Sequence, residues 1–192
     1  MLYRFARAFC RIVLCILRRW QVSGLENVPP GGGLVVASNH VSYWDPVAVG
    51  CALPRKIFFM AKAELFAIPV LGSVISRLGA FPVYRSGSDA RAIKKALQLL
   101  RQGQVVGIFP EGTRSHTGEL LPPHVGAAML ALHGGVPVLP VAVIGTRGVF
   151  GKVKVLIGKP LEFSRAGKSK EQYQTVAAAV MREIASLIDK AR

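Results

Sequence analysis

His40 and Asp45 stand five positions apart in Asn39-His40-Val41-Ser42-Tyr43-Trp44-Asp45. An imidazole titrates near neutrality and can take a proton from a hydroxyl. A carboxylate on its other ring nitrogen fixes the tautomer and stabilises the imidazolium that forms. The pair thus suits general-base chemistry, and it needs no serine or cysteine nucleophile if the substrate brings its own hydroxyl. The competing reading is structural: His40 and Asp45 satisfy loop hydrogen bonds and cap a helix. For His-x4-Asp in isolation the structural reading is the commoner one.

A second group lies in Phe109-Pro110-Glu111-Gly112-Thr113-Arg114-Ser115. It collects a carboxylate, a glycine, two hydroxyls and a guanidinium. Gly112 lets the backbone approach a ligand closely. Arg114 can hold a phosphate bidentately. Glu111 either accepts from a substrate hydroxyl or holds Arg114, and the structural alternative is a turn closed by that Glu–Arg pair. Arg85 is a further candidate phosphate ligand, although a single arginine more often serves as a solvated surface group.

The elements around these residues read as alternating strands and helices. Leu34-Val35-Val36-Ala37 is a buried strand ahead of His40, and Asp45-Pro46 opens a helix over 46–53. His40 and Asp45 therefore bracket a strand-to-helix loop, where α/β proteins commonly place their sites. Strands are also expected at 21–23, 56–60, 80–83, 105–109, 137–144 and 152–157. Residues 88–102 form the clearest amphipathic helix, closed by Gly103; others are expected at 125–133 and 169–190. The apolar stretch 62–78, interrupted by Pro69 and Gly72, reads as short helices that line an acyl groove, touch lipid or simply pack in the core. The expected fold is α/β: a single three-layer domain over 20–192 with a largely parallel mixed sheet.

Residues 1–19 stand apart as a basic amphipathic helix. Arg4, Arg7, Arg11 and Arg18 fall within roughly 60° of one another on a helical wheel. Leu2, Phe5, Phe9, Ile12, Val13 and Ile16 lie opposite, and no acid intervenes. This pattern suits a helix lying on an anionic membrane surface; the alternative is a helix packed on its own domain with solvated arginines. The longest apolar run, Ile12 to Leu17, is far short of the roughly 20 residues a spanning helix needs. A secretory signal is not expected, because arginines interrupt the run and no small-residue cleavage site follows.

The chain has 192 residues, enough for one domain with a real core. Hydrophobic residues make up 51% and charged residues 18%, which excludes a disordered chain. The net charge of +15 favours an anionic partner: lipid headgroup, phosphate substrate, acidic carrier protein or nucleic acid. Cys10, Cys15 and Cys51 give no disulfide framework, and His40, His116, His124 and His133 show no zinc spacing with them.

Taken together, the segments resemble the glycerolipid acyltransferases, most closely the bacterial 1-acyl-glycerol-3-phosphate acyltransferases. Four blocks carry the resemblance in the family's order: Asn39-His40-x-Ser42-x-x-Asp45, Gly79-Ala80-Phe81-Pro82-Val83-Tyr84-Arg85, Phe109 to Ser115, and Val136-Pro137-Val138-Leu139-Pro140-Val141. It covers about residues 20–160. The resemblance implies transfer of a fatty acyl chain from a thioester to the sn-2 hydroxyl of lysophosphatidic acid, giving phosphatidic acid. It implies His40 as the base, Asp45 as its orienter, and Arg85, Glu111, Gly112, Thr113 and Arg114 around the phosphate and glycerol. It implies no metal or other cofactor beyond the co-substrate, which is acyl-CoA or acyl-acyl carrier protein. Loop amides near 111–114 are the candidate oxyanion donors.

Two positions depart from the family pattern. Tyr84 stands where an acid or another residue is common. Pro123-His124-Val125 stand where many members carry a lysine, a contact that His116 or His124 can only partly replace. The acceptor is therefore less constrained than the reaction, and glycerol-3-phosphate or another lysolipid is the runner-up. A non-catalytic anionic-lipid-binding module is a further alternative, but binding alone needs no base. Nucleic-acid binding is not expected, since no helix-turn-helix, zinc-finger or RNP signature is present. The expected location is the cell membrane, peripheral or monotopic, on the cytoplasmic face.

Overall fold

A computed structural model of the chain describes residues 2–84, 89–148, 150–164 and 169–191. Among the described residues seven strands form one sheet in the order β1-β7-β6-β2-β5-β3-β4. They are β1 (Gln21–Ser23), β2 (Leu34–Ser38), β3 (Ile57–Lys62), β4 (Phe81–Val83), β5 (Val105–Ile108), β6 (Val138–Ile144) and β7 (Lys154–Ile157). Only β6 and β7 pair antiparallel; all other neighbours are parallel. The α-helices of the described residues are α1 (Leu2–Arg18), α2 (Asp45–Ala52), α3 (Leu71–Leu78), α4 (Ala90–Arg101), α5 (Gly126–Gly134) and α6 (Lys170–Asp189). Short 3-10 turns cover Leu25–Asn27 and Ala63–Ala67.

β2 is the middle strand, and all five of its residues are buried. A strand covered on both faces reads as a continuous apolar run. Leu34 and Val36 pack with Ala48, Val49 and Ala52 of α2, and with Leu53 just after it, on one face. Val35 and Ala37 pack with α4, α5 and α6 on the other, against Ala96, Leu100, Leu130, Val180 and Ile184. The result is the expected helix–sheet–helix layering.

Pro140 sits inside β6, where a missing N–H usually breaks a ladder. Here it falls between the bridge of Val138 to Leu161 and the first β7 pair, Val141 with Ile157, and its carbonyl accepts from Gly158 N–H at 2.9 Å.

Helix α1 is turned in a way that corrects the expectation for Arg18. Leu14 and Arg18 are buried, and the helix packs on α2 and α3. Arg7 donates to the Pro54 carbonyl at 3.2 Å, and the Arg11 guanidinium lies 5.6 Å from the Trp20 ring centroid. Arg7 and Arg18 thus turn toward the protein while Arg4 and Arg11 stay exposed, and the apolar side faces outward: Phe5 is 74% exposed, Phe9 60%, Ile12 58% and Ile16 72%. Arg18 is removed from any role at a surface. Ile68, Val70, Leu71 and Val74, ahead of and within the neighbouring α3, are exposed as well. Among the described residues no helix is long and apolar enough to cross a membrane.

Candidate active site

The C-terminal ends of three adjacent parallel strands, β6, β2 and β5, converge at one place. Crevices outside the carboxyl ends of parallel strands are where open α/β sheets bind ligands. The loop after β2 carries His40, the loop after β5 carries Glu111 to Ser115, and the loop after β6 carries Thr146.

His40 is held at every part except one. Its backbone N–H donates to Glu111 Oε1 at 2.8 Å, and its carbonyl accepts from Ser115 N–H at 2.8 Å. Its ring stacks on Phe109, with centroids 4.0 Å apart and planes 19° from parallel, and Phe109 stacks in turn on Phe59 at 5.8 Å. Nδ1 lies 2.7 Å from Asp45 Oδ2. Among the described residues Nε2 has no hydrogen-bond partner, and the side chain is 18% exposed. A carboxylate on Nδ1 places the proton there and leaves Nε2 as the basic nitrogen.

Asp45 is fully buried. A buried carboxylate must find donors, and this one has four. Oδ2 accepts from His40 and from the backbone N–H groups of Val41 at 2.6 Å and Ser42 at 2.7 Å, and Oδ1 accepts from the Thr146 hydroxyl. The structural alternative for Asp45 as a helix cap is corrected: α2 begins at Asp45 itself, its cap position is Trp44, and no side chain caps it. The tight 41–45 turn instead wraps the carboxylate and points it back at the imidazole.

Glu111 is also buried, and it does not pair with Arg114. Its Oε2 accepts from Leu121 N–H at 2.9 Å, while Oε1 takes His40 N–H. Both oxygens therefore serve the scaffold as a clamp between two loops, and the Glu111–Arg114 pair of the sequence reading is not formed among the described residues. Burial pushes the Glu111 carboxyl up; the two backbone N–H groups, Leu121 first, pull it part of the way back. Arg114 instead stacks its guanidinium 3.6 Å from the Tyr43 ring centroid and donates to Tyr43 Oη at 2.9 Å. Thr113 and Gly112 are exposed at the tip of the loop, and Gly112 has φ +66°. A side chain on Gly112 would meet the His124 ring. The Gly112 amide, among those proposed for an oxyanion, donates to the Phe109 carbonyl at 3.0 Å. Arg85 lies outside the described residues.

The structure brings together His40, Asp45, Glu111, Gly112, Thr113 and Arg114. It adds Tyr43, Phe109, Thr146 and Asn39, which the sequence reading did not weigh. Asn39 extends the ladder of β2 onto β6 through its side-chain amide, accepting from Val143 N–H at 2.8 Å and donating to its carbonyl at 2.9 Å. Tyr43 had a signal, an aromatic inside the histidine loop of a chain with a loop arginine. Thr146, 101 positions from Asp45, had none. Neither buried nor exposed thiols enter the site; burial pushes Cys51 up to about 12, so it is a poor nucleophile.

A doubly wound sheet with an oriented imidazole and a loop guanidinium at its carboxyl end defines an α/β enzyme that works on a hydroxyl. Residues 19–144 match the Acyltransferase family model. The chain is 35% identical to the 1-acyl-sn-glycerol-3-phosphate acyltransferase of Bacillus subtilis, covering 98% of each chain. It is 33% identical to the chloroplastic 1-acyl-sn-glycerol-3-phosphate acyltransferase BAT2 of Brassica napus, over 84% of this chain and 50% of that one. The crystal structure of the 1-acyl-sn-glycerophosphate acyltransferase PlsC from Thermotoga maritima superposes with a TM-score of 0.79 at 30% identity, covering 99% of this chain and 80% of that one. The chain belongs to the acyltransferase family.

Proposed function

We propose that this protein moves a fatty acyl group from a thioester to the sn-2 hydroxyl of 1-acyl-glycerol-3-phosphate, yielding phosphatidic acid for phospholipid synthesis at an anionic membrane surface. The observation that carries the reading is the His40 ring, fixed by Asp45 on Nδ1 and with Nε2 left without a partner among the described residues. The relatives' shared activity supports the choice of acceptor.

His40 Nε2 takes the proton of the acceptor hydroxyl as its oxygen attacks the thioester carbonyl. Asp45 stabilises the imidazolium. The tetrahedral intermediate collapses by breaking the C–S bond, and the imidazolium returns its proton to the leaving thiolate. Arg114 is the phosphate ligand, pre-oriented by its stack on Tyr43. Gly112 and Thr113 supply the surface that the glycerol phosphate approaches, with Arg85 as a second cation. The reading requires no cofactor beyond the thioester, which is acyl-CoA or acyl-acyl carrier protein; both are anionic and suit a chain of net charge +15. The outward apolar face of α1 supports a peripheral or monotopic seat on a membrane, and the reading places it on the cytoplasmic leaflet.

The test supplies purified protein on anionic vesicles with lysophosphatidic acid and each donor in turn, reading phosphatidic acid by mass spectrometry. Wild type makes product, and His40→Ala loses about a hundredfold or more. Product undiminished in His40→Ala sinks the mechanism. Product formed only when glycerol-3-phosphate or another lysolipid replaces lysophosphatidic acid moves the assignment to that acceptor.

A further inference from the structure

The loop after β6 enters the site although none of the chemistry-bearing motifs includes it. Thr146 is fully buried, and its hydroxyl donates to Asp45 Oδ1. The other Asp45 oxygen already accepts from His40 Nδ1 and two backbone amides. Tethering Oδ1 fixes the rotation of the carboxylate about its own bond, and that rotation decides whether Oδ2 faces the imidazole.

The loop carrying Thr146 is anchored on two sides. Arg147 donates to the Ser115 carbonyl at 2.6 Å, and Ser115 N–H holds the His40 carbonyl. On the far side, Arg18 ends α1 at 1% exposure and donates to the carbonyls of Gly145 at 2.6 Å and Gly148 at 3.0 Å. Gly145 has φ +77°, and a side chain there would run into the Lys152 carbonyl. Among the described residues no carboxylate pairs with Arg18, so its charge is met by loop carbonyls. A buried guanidinium is costly to place without such partners, and these partners are the backbone of the loop that delivers Thr146.

We infer that Thr146 is a positioning residue for the His40–Asp45 pair, and that Arg18 holds the loop that delivers it. The last turn of α1 thereby becomes part of the apparatus that aims the base. This rests on the acyl-transfer reading above, with His40 as base.

The test measures kcat and KM for both substrates with the full chain on vesicles. The variants are Thr146→Val, Thr146→Ser, Asp45→Asn, and Thr146→Val combined with Asp45→Asn. Valine keeps the shape and removes the hydroxyl; serine keeps the hydroxyl. Thr146→Val lowers kcat about tenfold while both KM values stay within about twofold, and Thr146→Ser regains most of the loss. Added to Asp45→Asn, the valine costs less than about twofold more, because the residue it acts through is already altered. Arg18→Lys, which keeps charge but loses the fork, lowers kcat in the same sense with vesicle retention unchanged.

Full activity in Thr146→Val alongside an inactive His40→Ala overturns the inference and leaves the reaction assignment standing. A valine loss that serine does not regain, or that is undiminished in the Asp45→Asn background, overturns it too. Equal activity in wild type and His40→Ala overturns the underlying reading instead. Should Arg18→Lys fail to fold, the Thr146 series decides alone.

Discussion

Glu111 is a buried carboxylate whose two oxygens face main-chain donors. Each of its oxygens accepts one backbone N–H, from His40 and from Leu121, so the carboxylate ties the histidine loop to the loop after β5. Glutamine has the same shape but one amide nitrogen in place of an oxygen, and that nitrogen would face an N–H donor. Glu111→Gln is therefore expected to cost about 1–3 kcal/mol of stability and to lower kcat by displacing His40. Burial raises the Glu111 carboxyl above its unfolded value, so between the two values the folded state holds more protons than the unfolded one. The proton-linked part of the stability that Glu111 contributes is then fully present below the unfolded value and is lost as pH rises through the raised one, while the part due to the two amide bonds remains. Urea unfolding of wild type and Glu111→Gln across that window should show the gap between them narrowing with rising pH; a widening gap would mean that the amide bonds outweigh burial. Arg114, proposed as the phosphate ligand, makes the complementary case. Arg114→Lys keeps the charge but loses the fork and the stack on Tyr43, and is expected to raise the KM for lysophosphatidic acid about tenfold with kcat nearly unchanged.

The strands position the site through a small residue as much as through large ones. Gly107 lies in β5 beside β3, and a side chain there would run into Phe59 and Ile57. Phe59 stacks on Phe109, and Phe109 stacks on His40, so the glycine keeps an aromatic column in line. Gly107→Ala is expected to cost about 1–3 kcal/mol by overpacking and to lower kcat further than that stability loss explains. Adding Phe59→Leu should return both, read as Tm and turnover; recovery of Tm without turnover would show that the column does not aim the base. These elements differ in how much of them the sequence discloses. Leu34 to Ala37 reads as a buried strand because its whole run is apolar, and α4 stops just short of Gly103 as its periodicity demands. His40 and Asp45 are legible because one turn brings them together. Thr146 is not, since its contact depends on β6 lying beside β2, a pairing that no local pattern encodes. Glu111 was legible as a loop carboxylate but its clamp was not, because its partners there are main-chain groups that every residue carries.

At the scale of the whole molecule the sequence discloses two faces of α1 but not which one meets the domain. The fold answers by burying Arg18 and leaving Phe5, Phe9, Ile12 and Ile16 outward. A water-exposed apolar stripe of this kind marks an interaction surface, and a lipid substrate makes a bilayer the natural occupant. Two forces would then hold the enzyme there: burial of the stripe, and attraction of a chain of net charge +15 to anionic lipid. Salt separates them, because screening weakens the second and not the first. Replacing Phe5, Phe9 and Ile16 together by serine removes about 1.5–3 kcal/mol of burial per side chain at the membrane. The same exposure in the free protein means that the triple variant should unfold at nearly the wild-type temperature. In flotation with anionic vesicles, wild type should stay partly bound as salt rises, whereas the triple variant should bind at low salt and leave at high salt. Turnover of a short-chain, monomeric lysolipid should survive in the variant, since His40, Asp45 and Arg114 are untouched, while turnover of vesicle-borne substrate falls with retention. Persistent high-salt binding by the triple variant would place the lipid contact elsewhere, with the exposed Ile68, Val70, Leu71 and Val74 beside α1 the next surface to alter.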